Sequence, residues 1–356
     1  MNKILSLARP DILQLQPYQH GAWDPSVERM HTNEMPWPPV GDTSALGLNH
    51  YPQPQPAQLI SRLAELYGVD AAQMIIGRGS DEAIDLIVRA FCRAGLDKVV
   101  ICPPTYGMYK VAARIQGADI IEVPMFKAGS YQLDSQQVIA ACDVTAKIVF
   151  LCSPNNPTGN LLSEDAVLAL CCALDGRCLI VVDEAYIEFS AAGSCARFLA
   201  RNANLIVLRT LSKAHALAGA RCGALLAHPD IIKLLGGIIA PYAVPSPTVD
   251  TVMRVLADEN DLPQKIATVL SERAMLADAL RQQAIIKRIW HSDANFLLVE
   301  CHDASAVLDA ARGVGLIIRD QRSQFGLSNC VRISVGTPDQ NRRLLGAIAS
   351  VQGAAA

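Results

Sequence analysis

The sequence carries little charge, and none of that charge is gathered into a basic segment. Only 18% of the 356 residues are Asp, Glu, Lys or Arg, and the net charge at pH 7 is −3. Nucleic acids and anionic membrane surfaces are bound through clusters of Lys and Arg, so this composition predicts neither partner. No apolar run reaches the roughly 20 residues that a membrane-spanning helix requires. With 51% of its residues apolar, the chain is typical of a well-packed globular enzyme.

The chain also lacks the cysteine pattern of a disulfide framework or a metal site. It has 11 cysteines, an odd number, and no Cys-x-x-Cys motif. Several of them, including Cys102, Cys152 and Cys178, lie inside apolar runs. We expect them to be small buried residues in a reducing compartment, with no metal bound. The N-terminal apolar stretch is too short for a signal peptide, so we predict a cytoplasmic protein.

Short apolar runs alternate with helical patterns through the middle of the chain. Several runs are apolar throughout, as in strands that helices cover on both faces. This alternation predicts an α/β fold with a mostly parallel seven-stranded sheet and helices on both faces. The predicted strands are 73–76, 98–102, 119–123, 147–152, 178–182, 205–208 and 224–227.

We predict a large domain over residues 46–245 and a smaller α+β domain over residues 246–356. Residues 1–45 are irregular and rich in proline, which excludes regular helix or central strand around residues 36–39. This segment is expected to pack with the smaller domain. The smaller domain is predicted to contain strands at 286–290, 295–301, 315–319 and 330–335, and helices at 247–257, 262–283, 304–313 and 338–351.

Polar motifs follow directly after the predicted strands, where ligands bind to parallel sheets. Gly79, Ser80 and Asp81 lie between a strand and a helical pattern. They can form a plain turn in which Ser80 caps the helix, or a phosphate site made of free N–H groups and the positive helix end. Tyr106 follows the next strand within Cys-Pro-Pro-Thr-Tyr-Gly and can stack on a planar ligand, although turn chemistry alone also explains the prolines.

Two further motifs are more specific. Ser-Pro-Asn-Asn-Pro-Thr-Gly, at 153–159, holds Asn156 between prolines, and Val-Val-Asp-Glu-Ala-Tyr, at 181–186, supplies Asp183 and Tyr186. An ionised Asp183 at a buried strand end needs a cationic or donor partner, which an arginine or a ligand can provide. A metal site is the weaker interpretation, because no histidine lies nearby at ligand spacing.

The stretch Thr-Leu-Ser-Lys-Ala-His-Ala-Leu-Ala-Gly-Ala-Arg, at 210–221, adds Ser212, Lys213 and Arg221 after another strand. A Ser-Lys pair alone indicates only a loop lysine. Grouped around one crevice with the upstream amide, carboxylate and phenol, these residues match pyridoxal 5'-phosphate. Lys213 can bond to its aldehyde, and Asp183 can keep its ring nitrogen protonated. The remaining contacts would be Asn156 and Tyr186 on the ring oxygen, Tyr106 stacked on the ring, and Gly79, Ser80, Asp81, Ser212 and Arg221 at the phosphate.

The order of these motifs resembles that of the fold-type I, aspartate-aminotransferase-like family of pyridoxal-phosphate enzymes over nearly the whole chain. The strings Cys-Ser-Pro-Asn-Asn-Pro-Thr-Gly, Asp-Glu-Ala-Tyr-Ile-Glu-Phe and Arg-Thr-Leu-Ser-Lys-Ala are most similar to its histidinol-phosphate aminotransferase subfamily. The resemblance implies amino-group exchange between histidinol phosphate and 2-oxoglutarate in histidine biosynthesis, with glutamate as the second product. It also implies that Lys213 moves the proton between substrate and cofactor.

The same resemblance implies roles for residues far from these motifs. Arg332 would bind the substrate carboxylate or phosphate, joined by Arg319 and Tyr18, and Asn33 would lie in a segment that faces the substrate. Two planar, permanently charged arginine side chains suit both anions. Tyr51 would reach the cofactor phosphate of the neighbouring subunit, which implies a homodimer with shared active sites.

The chain departs from the family pattern in two places. His215 stands where an aromatic residue is usual, and it can be a packed neutral ring or a titrating neighbour. His-Thr-Asn-Glu-Met-Pro, at 31–36, differs from the usual Asn-Glu-Asn-Pro form. An aromatic amino-acid aminotransferase and a threonine-phosphate decarboxylase therefore remain alternatives. A non-catalytic pyridoxal-phosphate-binding regulator would need an added DNA-binding module, for which the sequence has no basic segment.

Overall fold

A seven-stranded sheet forms the centre of the chain in the computed structural model, which describes residues 3–351 except 20, 22, 25, 45, 259 and 260. Its strand order is β1-β9-β8-β7-β6-β2-β3. All seven strands coincide with predicted ones to within about two residues at each end. Their bounds are β1 (Met74–Gly77), β2 (Lys98–Ile101), β3 (Asp119–Glu122), β6 (Ala146–Cys152), β7 (Leu179–Asp183), β8 (Leu205–Thr210) and β9 (Gly223–Ala227).

The prediction of a mostly parallel sheet is confirmed. Strands β3, β2, β6, β7 and β8 run parallel, whereas β9 pairs antiparallel with both β8 and β1. The register places Cys152 of β6 beside Asp183 of β7, and Asp183 beside Leu208 of β8. The carboxyl ends of three central strands therefore meet at one edge, and the polar motifs follow from that edge. A short hairpin, β4 (Phe126–Ala128) and β5 (Ser130–Gln132), was not predicted.

Helices cover both faces of this sheet and produce two apolar cores. One core contains residues of α2, α5 and α6, and the other contains residues of α3, α4 and α7. Helix α2 ends at Gly68, which has φ of 65° and so adopts the left-handed conformation that glycine favours. The helices are α1 (Pro10–Leu13), α2 (Ala57–Tyr67), α3 (Ser80–Phe91), α4 (Met108–Gln116), α5 (Ser135–Ala141), α6 (Glu164–Ala173) and α7 (Pro229–Gly236).

The N-terminal segment begins on the large sheet. Ile4, Leu7 and Ala8 are buried in the same core as α3, and the N–H of Arg9 donates to the carbonyl of Ala90 at 3.0 Å. This part of the segment therefore lies on the large domain, contrary to the prediction that residues 1–45 pack with the smaller one. The apolar residues that open the chain find a matching surface on α3, which explains the difference.

A second, four-stranded antiparallel sheet has the order β10-β11-β13-β12. The helices α9, α10 and α11 pack on it around a separate apolar core. The predicted strand at 315–319 is wrong except at its end, because the N–H groups of Gly315 and Leu316 bond back to α10. The elements are α8 (Ser246–Leu256), α9 (Asp261–Arg281), β10 (Ile286–Ile289), β11 (Phe296–Cys301), α10 (Ala304–Gly313), β12 (Arg319–Asp320), β13 (Cys330–Ser334) and α11 (Pro338–Ala349).

Within the described ranges, none of the helices has the length and apolar character needed to cross a membrane.

Candidate active site

A cavity of about 580 Å³ opens at the carboxyl ends of β6, β7 and β8. Its wall is formed by the large sheet on one side and by β12 and β13 of the second sheet on the other. Eleven of the residues predicted for cofactor or substrate line it. They are Ser80, Asp81, Tyr106, Asn156, Asp183, Tyr186, Ser212, Lys213, Arg221, Arg319 and Arg332.

Asp183 ends β7 at the floor of the cavity and is only 2% exposed. The Tyr109 hydroxyl donates to its Oδ2 at 2.8 Å, and the N–H of Ala185 donates to its Oδ1 at 3.2 Å. Burial raises the pKa of Asp183 to about 6, against the lowering effect of these two donors. The carboxylate is therefore mainly ionised at pH 7, where it can hold a positively charged N–H group of a ligand.

Lys213 projects into the same cavity, with its Nζ 5.6 Å from the centre of the Tyr186 ring. No carboxylate oxygen of the described residues lies within ion-pair distance of this amine. Partial burial, and then the positive charge of Arg332, lower the pKa of Lys213 below its usual value. A lysine in this state is poised to act as a nucleophile or a base, because more of its amine is unprotonated.

One end of the cavity has the features of an anion site. Helix α3 starts at Ser80, and its preceding residue, Gly79, supplies no side-chain cap for the first N–H groups. The turn in which Ser80 caps the helix is thus not the one observed. Arg221 lies across this end, with Nη1 3.4 Å from the Ser212 hydroxyl and Nη2 3.5 Å from Asp81. Free N–H groups, a helix terminus and a guanidinium together suit a phosphate.

Gly79 contributes to this end through its backbone although it does not line the cavity. Its φ is 89°, and a Cβ added there would lie 2.8 Å from Nη2 of Arg221. Asp81 accepts a hydrogen bond from the Tyr106 hydroxyl at 2.9 Å, which fixes the tyrosine at the cavity wall. A larger residue at position 79 would displace the arginine from the helix end.

At the opposite side, Asn156 links the two sheets. Its Nδ2 donates to the Tyr186 hydroxyl at 3.4 Å, and its Oδ1 accepts from Nη1 of Arg332. Arg332 lies on β13 directly opposite Arg319 of β12. Nε of Arg332 is buried and has no hydrogen-bond partner in the part of the chain that the structure describes. The two guanidinium groups lie side by side, and the Nε–H of Arg332 is available as a donor. Together they form a site for an anionic substrate group.

Three predicted site residues lie away from the cavity of their own chain. Tyr18 is exposed, and Asn33 and Tyr51 line a separate shallow cavity with Pro245. Tyr51 is 49% exposed and stacks on Tyr242 with ring centres 4.7 Å apart. The Glu34 carboxylate accepts from the N–H of Tyr51 at 2.7 Å. The single chain therefore does not bring these three residues to the cavity, and their roles stay predictions.

Adjacent residues within the motifs have different surroundings. Asn155 is buried, accepts from the Thr105 hydroxyl at 3.0 Å and donates to the Pro104 carbonyl at 2.9 Å, so it fastens its loop to the neighbouring one. Glu184 points away from the cavity and lies 3.8 Å from Arg209. An arginine was one of the two partners considered for Asp183, but the ion pair with Arg209 is made by Glu184, while Asp183 lines the cavity.

Sequence reasoning missed Tyr109 and left His215 open. Tyr109 stands at the start of α4, three residues after Tyr106, and nothing in the sequence indicated its contact with Asp183. His215 is only 6% exposed, and neither ring nitrogen has a hydrogen-bond partner. Burial lowers the pKa of His215, which supports the packed neutral ring rather than a titrating group.

The sequence matches the family described as Aminotransferase class I and II over residues 40–348. The chain belongs to this family. Histidinol-phosphate aminotransferase of Stenotrophomonas maltophilia (strain R551-3) is 42% identical to it over 362 aligned residues, which cover 100% of this chain and 99% of the relative.

Solved structures share the same fold. Histidinol-phosphate aminotransferase from Clostridium acetobutylicum superimposes with a TM-score of 0.78 at 22% identity, covering 85% of this chain and 91% of that one. The Sinorhizobium meliloti histidinol-phosphate aminotransferase, solved in complex with pyridoxal-5'-phosphate, gives a TM-score of 0.77 at 27% identity, covering 84% and 82%. The first likeness supports the fold alone, and both agree with the family match.

Proposed function

We propose that this protein is a pyridoxal-phosphate-dependent aminotransferase that exchanges an amino group between L-histidinol phosphate and 2-oxoglutarate. The observation that carries this proposal is one cavity in which the Lys213 amine lies among a buried carboxylate, an anion site and a pair of arginines. The full-length similarity to the Stenotrophomonas enzyme supports the substrate. The products would be imidazole acetol phosphate and L-glutamate, a step of histidine biosynthesis.

The donor set of the cavity fits pyridoxal 5'-phosphate. The start of α3, Ser212 and Arg221 would hold its phosphate, and Asp183 would hold its ring nitrogen. Asn156 and Tyr186 would donate to its ring oxygen. When bound, the cofactor supplies an electron-accepting ring that makes the hydrogen on the substrate carbon acidic.

The protein's own residues would then transfer the proton that leaves the substrate carbon. The Lys213 amine, whose pKa is lowered by burial and by Arg332, can accept the proton from the substrate carbon and return it at a neighbouring atom. Asp183, kept in place by the Tyr109 hydroxyl, stays at the floor of the cavity during this transfer.

The two arginines explain how one cavity can accept both substrates. 2-Oxoglutarate carries two carboxylates, whereas histidinol phosphate carries a phosphate and no carboxylate. The guanidinium groups of Arg319 and Arg332 are permanently charged and bind either kind of anion through paired N–H groups. Tyr18 and Asn33 lie away from this cavity in their own chain, so their proposed contacts with substrate require the N-terminal segment of a second subunit.

We also propose a cytoplasmic homodimer in which Tyr51 reaches the cofactor phosphate held by the other subunit. The N-terminal region supports this arrangement, because Met30, Trp37 and Val40 are exposed on the isolated chain together with Tyr51. Several large apolar side chains exposed within one segment are unusual for a free surface and favour an interface. Ten of the 11 cysteines are buried, and small buried thiols are typical of proteins from a reducing compartment.

A panel of amino donors tests the substrate. The purified protein with bound cofactor would be mixed in turn with histidinol phosphate, phenylalanine and threonine phosphate, and with 2-oxoglutarate as acceptor, while glutamate and CO₂ are measured. Preference for histidinol phosphate with glutamate formation is expected. Faster use of phenylalanine, or release of CO₂ from threonine phosphate, would replace the proposal by one of the two alternatives. Cofactor binding without any turnover would point to a regulator.

A further inference from the structure

A buried charge cluster lies behind the candidate active site, on the other face of the large sheet. Arg209 of β8 follows Leu208, and successive side chains of a strand point to opposite faces. Leu208 is beside Asp183 in the sheet, so Arg209 points away from the cavity. Its Nη2 lies 2.7 Å from Oε1 of Glu188, and its Nη1 lies 3.8 Å from Oε2 of Glu184.

The cluster is shielded from solvent. The side chains of Arg209, Glu184 and Glu188 are 9%, 1% and 12% exposed. The guanidinium also lies over the ring of Tyr67, 4.4 Å from its centre. In such surroundings each carboxylate depends on the single guanidinium for its opposite charge, and moving either one away is costly. The three side chains therefore hold a defined relative position.

The cluster joins the two segments of the chain that carry the active-site groups. Glu184 and Glu188 are the first and last residues of segment 184–188, which follows Asp183 and contains Tyr186. Arg209 stands four residues before Lys213 on the neighbouring strand. Glu184 additionally accepts from the N–H of Cys195 at 2.6 Å, so the first segment is fastened at a second point.

We propose that Arg209 is a positioning residue for this active site, acting through Glu184 and Glu188. By joining the segment after β7 to the end of β8, it sets the distance between the Asp183 carboxylate and the Lys213 amine. Arginine is required because its planar group can contact both carboxylates at once, whereas lysine offers one point of charge. The inference rests on the proposed use of Lys213 and Asp183 in cofactor chemistry.

The test is Arg209→Lys, which keeps the buried positive charge and removes the planar guanidinium that contacts both carboxylates. The first readout uses cofactor-free protein and no substrate: the rate at which visible absorbance develops after pyridoxal 5'-phosphate is added. We expect this rate and kcat each to fall on the order of tenfold, with both KM values within about twofold, because small misplacements of reacting groups cost one to two orders of magnitude in rate. Arg93→Lys is the control: Arg93 also pairs its guanidinium with a buried carboxylate, that of Asp97 at 2.8 Å and away from the cavity, although Arg93 itself is 45% exposed. It should leave both rates unchanged.

A purely structural role predicts a different result. Arg209→Lys would then lower the urea midpoint while the absorbance rate and kcat per folded site stay as in the unaltered protein, and this outcome would overturn the proposal. If that variant does not fold, Glu188→Gln decides: a fall of about threefold or more in the absorbance rate supports positioning, and an unchanged rate refutes it. Failure of the unaltered protein to use histidinol phosphate would refute the proposed substrate only, because the absorbance rate involves no substrate.

Discussion

Replacing Arg332 separates substrate binding from cofactor binding in this cavity. Its guanidinium is half-buried on β13, it donates to Oδ1 of Asn156, and its Nε has no partner. Burial, and beyond it the neighbouring Arg319, hold the pKa of Arg332 below its usual value, so an incoming anion would relieve unfavourable charge. Arg332→Ala removes both the charge and the N–H donors. Arg332→Lys keeps the charge and removes only the planar pair of N–H donors.

The magnitude follows from the contacts that are lost. Hydrogen bonds to charged groups contribute about 1.5–3 kcal/mol each. Losing ~3 kcal/mol lowers kcat/KM by about 100-fold, since 1.4 kcal/mol is a factor of ten. Arg332→Lys keeps the charge and should lose about tenfold. Arg319 is more exposed, so Arg319→Ala should cost less than Arg332→Ala, because solvent screens its charge.

The assay is steady-state kcat/KM for histidinol phosphate and for 2-oxoglutarate separately, together with the Kd of pyridoxal 5'-phosphate. Both kcat/KM values should fall in Arg332→Ala, while the cofactor Kd stays within about threefold of the original, because the anion site at the start of α3 is untouched. A cofactor Kd that rises as steeply as kcat/KM falls would place Arg332 in the phosphate site instead. Unchanged kcat/KM for both substrates would refute the anion-binding role altogether.

Two further predictions address the cofactor side of the cavity. Because burial raises the pKa of Asp183 from 3.8 to about 6, this group stabilises the cofactor-free protein fully below pH 3.8, and that contribution is lost as the pH rises through about 6. Asp183→Asn should therefore abolish transamination. Above pH 6 it should nevertheless raise the free energy of unfolding of the cofactor-free protein by up to ~3 kcal/mol, as measured by urea titration at several pH values. A loss of stability in this variant would contradict the pKa argument. Mixing inactive Lys213→Ala protein with Tyr51→Ala protein should restore part of the activity. In the mixed dimer, one site has Lys213 from the Tyr51→Ala subunit and Tyr51 from the Lys213→Ala subunit. If dimers shown to have mixed recover no activity, Tyr51 acts in its own subunit's site or in neither site.

Several parts of the fold were predictable because they depend on local patterns. The seven apolar runs and their spacing indicated the large sheet, and the parallel direction of its central strands followed from the helices between them. The motif order then predicted that Asn156, Asp183 and Lys213 meet, since parallel strands end at the same edge. Where local pattern and tertiary contact compete, prediction failed: the apolar residues 315–318 looked like a strand, but Ile317 is 93% exposed and its neighbours bond back to α10.

The sequence by itself determined the alternation of strands and helices and which chemical groups stand at the strand ends, because these depend on residues close together in the chain. Asp183 and Asn156 were already indicated by the motifs, but only the tertiary structure placed the adjacent Glu184 and Asn155 outside the cavity. It also decided that Tyr109 supports Asp183, and that Arg332 reaches Asn156 across 176 residues of sequence. These contacts join faces of different elements, and their geometry exists only once the two sheets have packed.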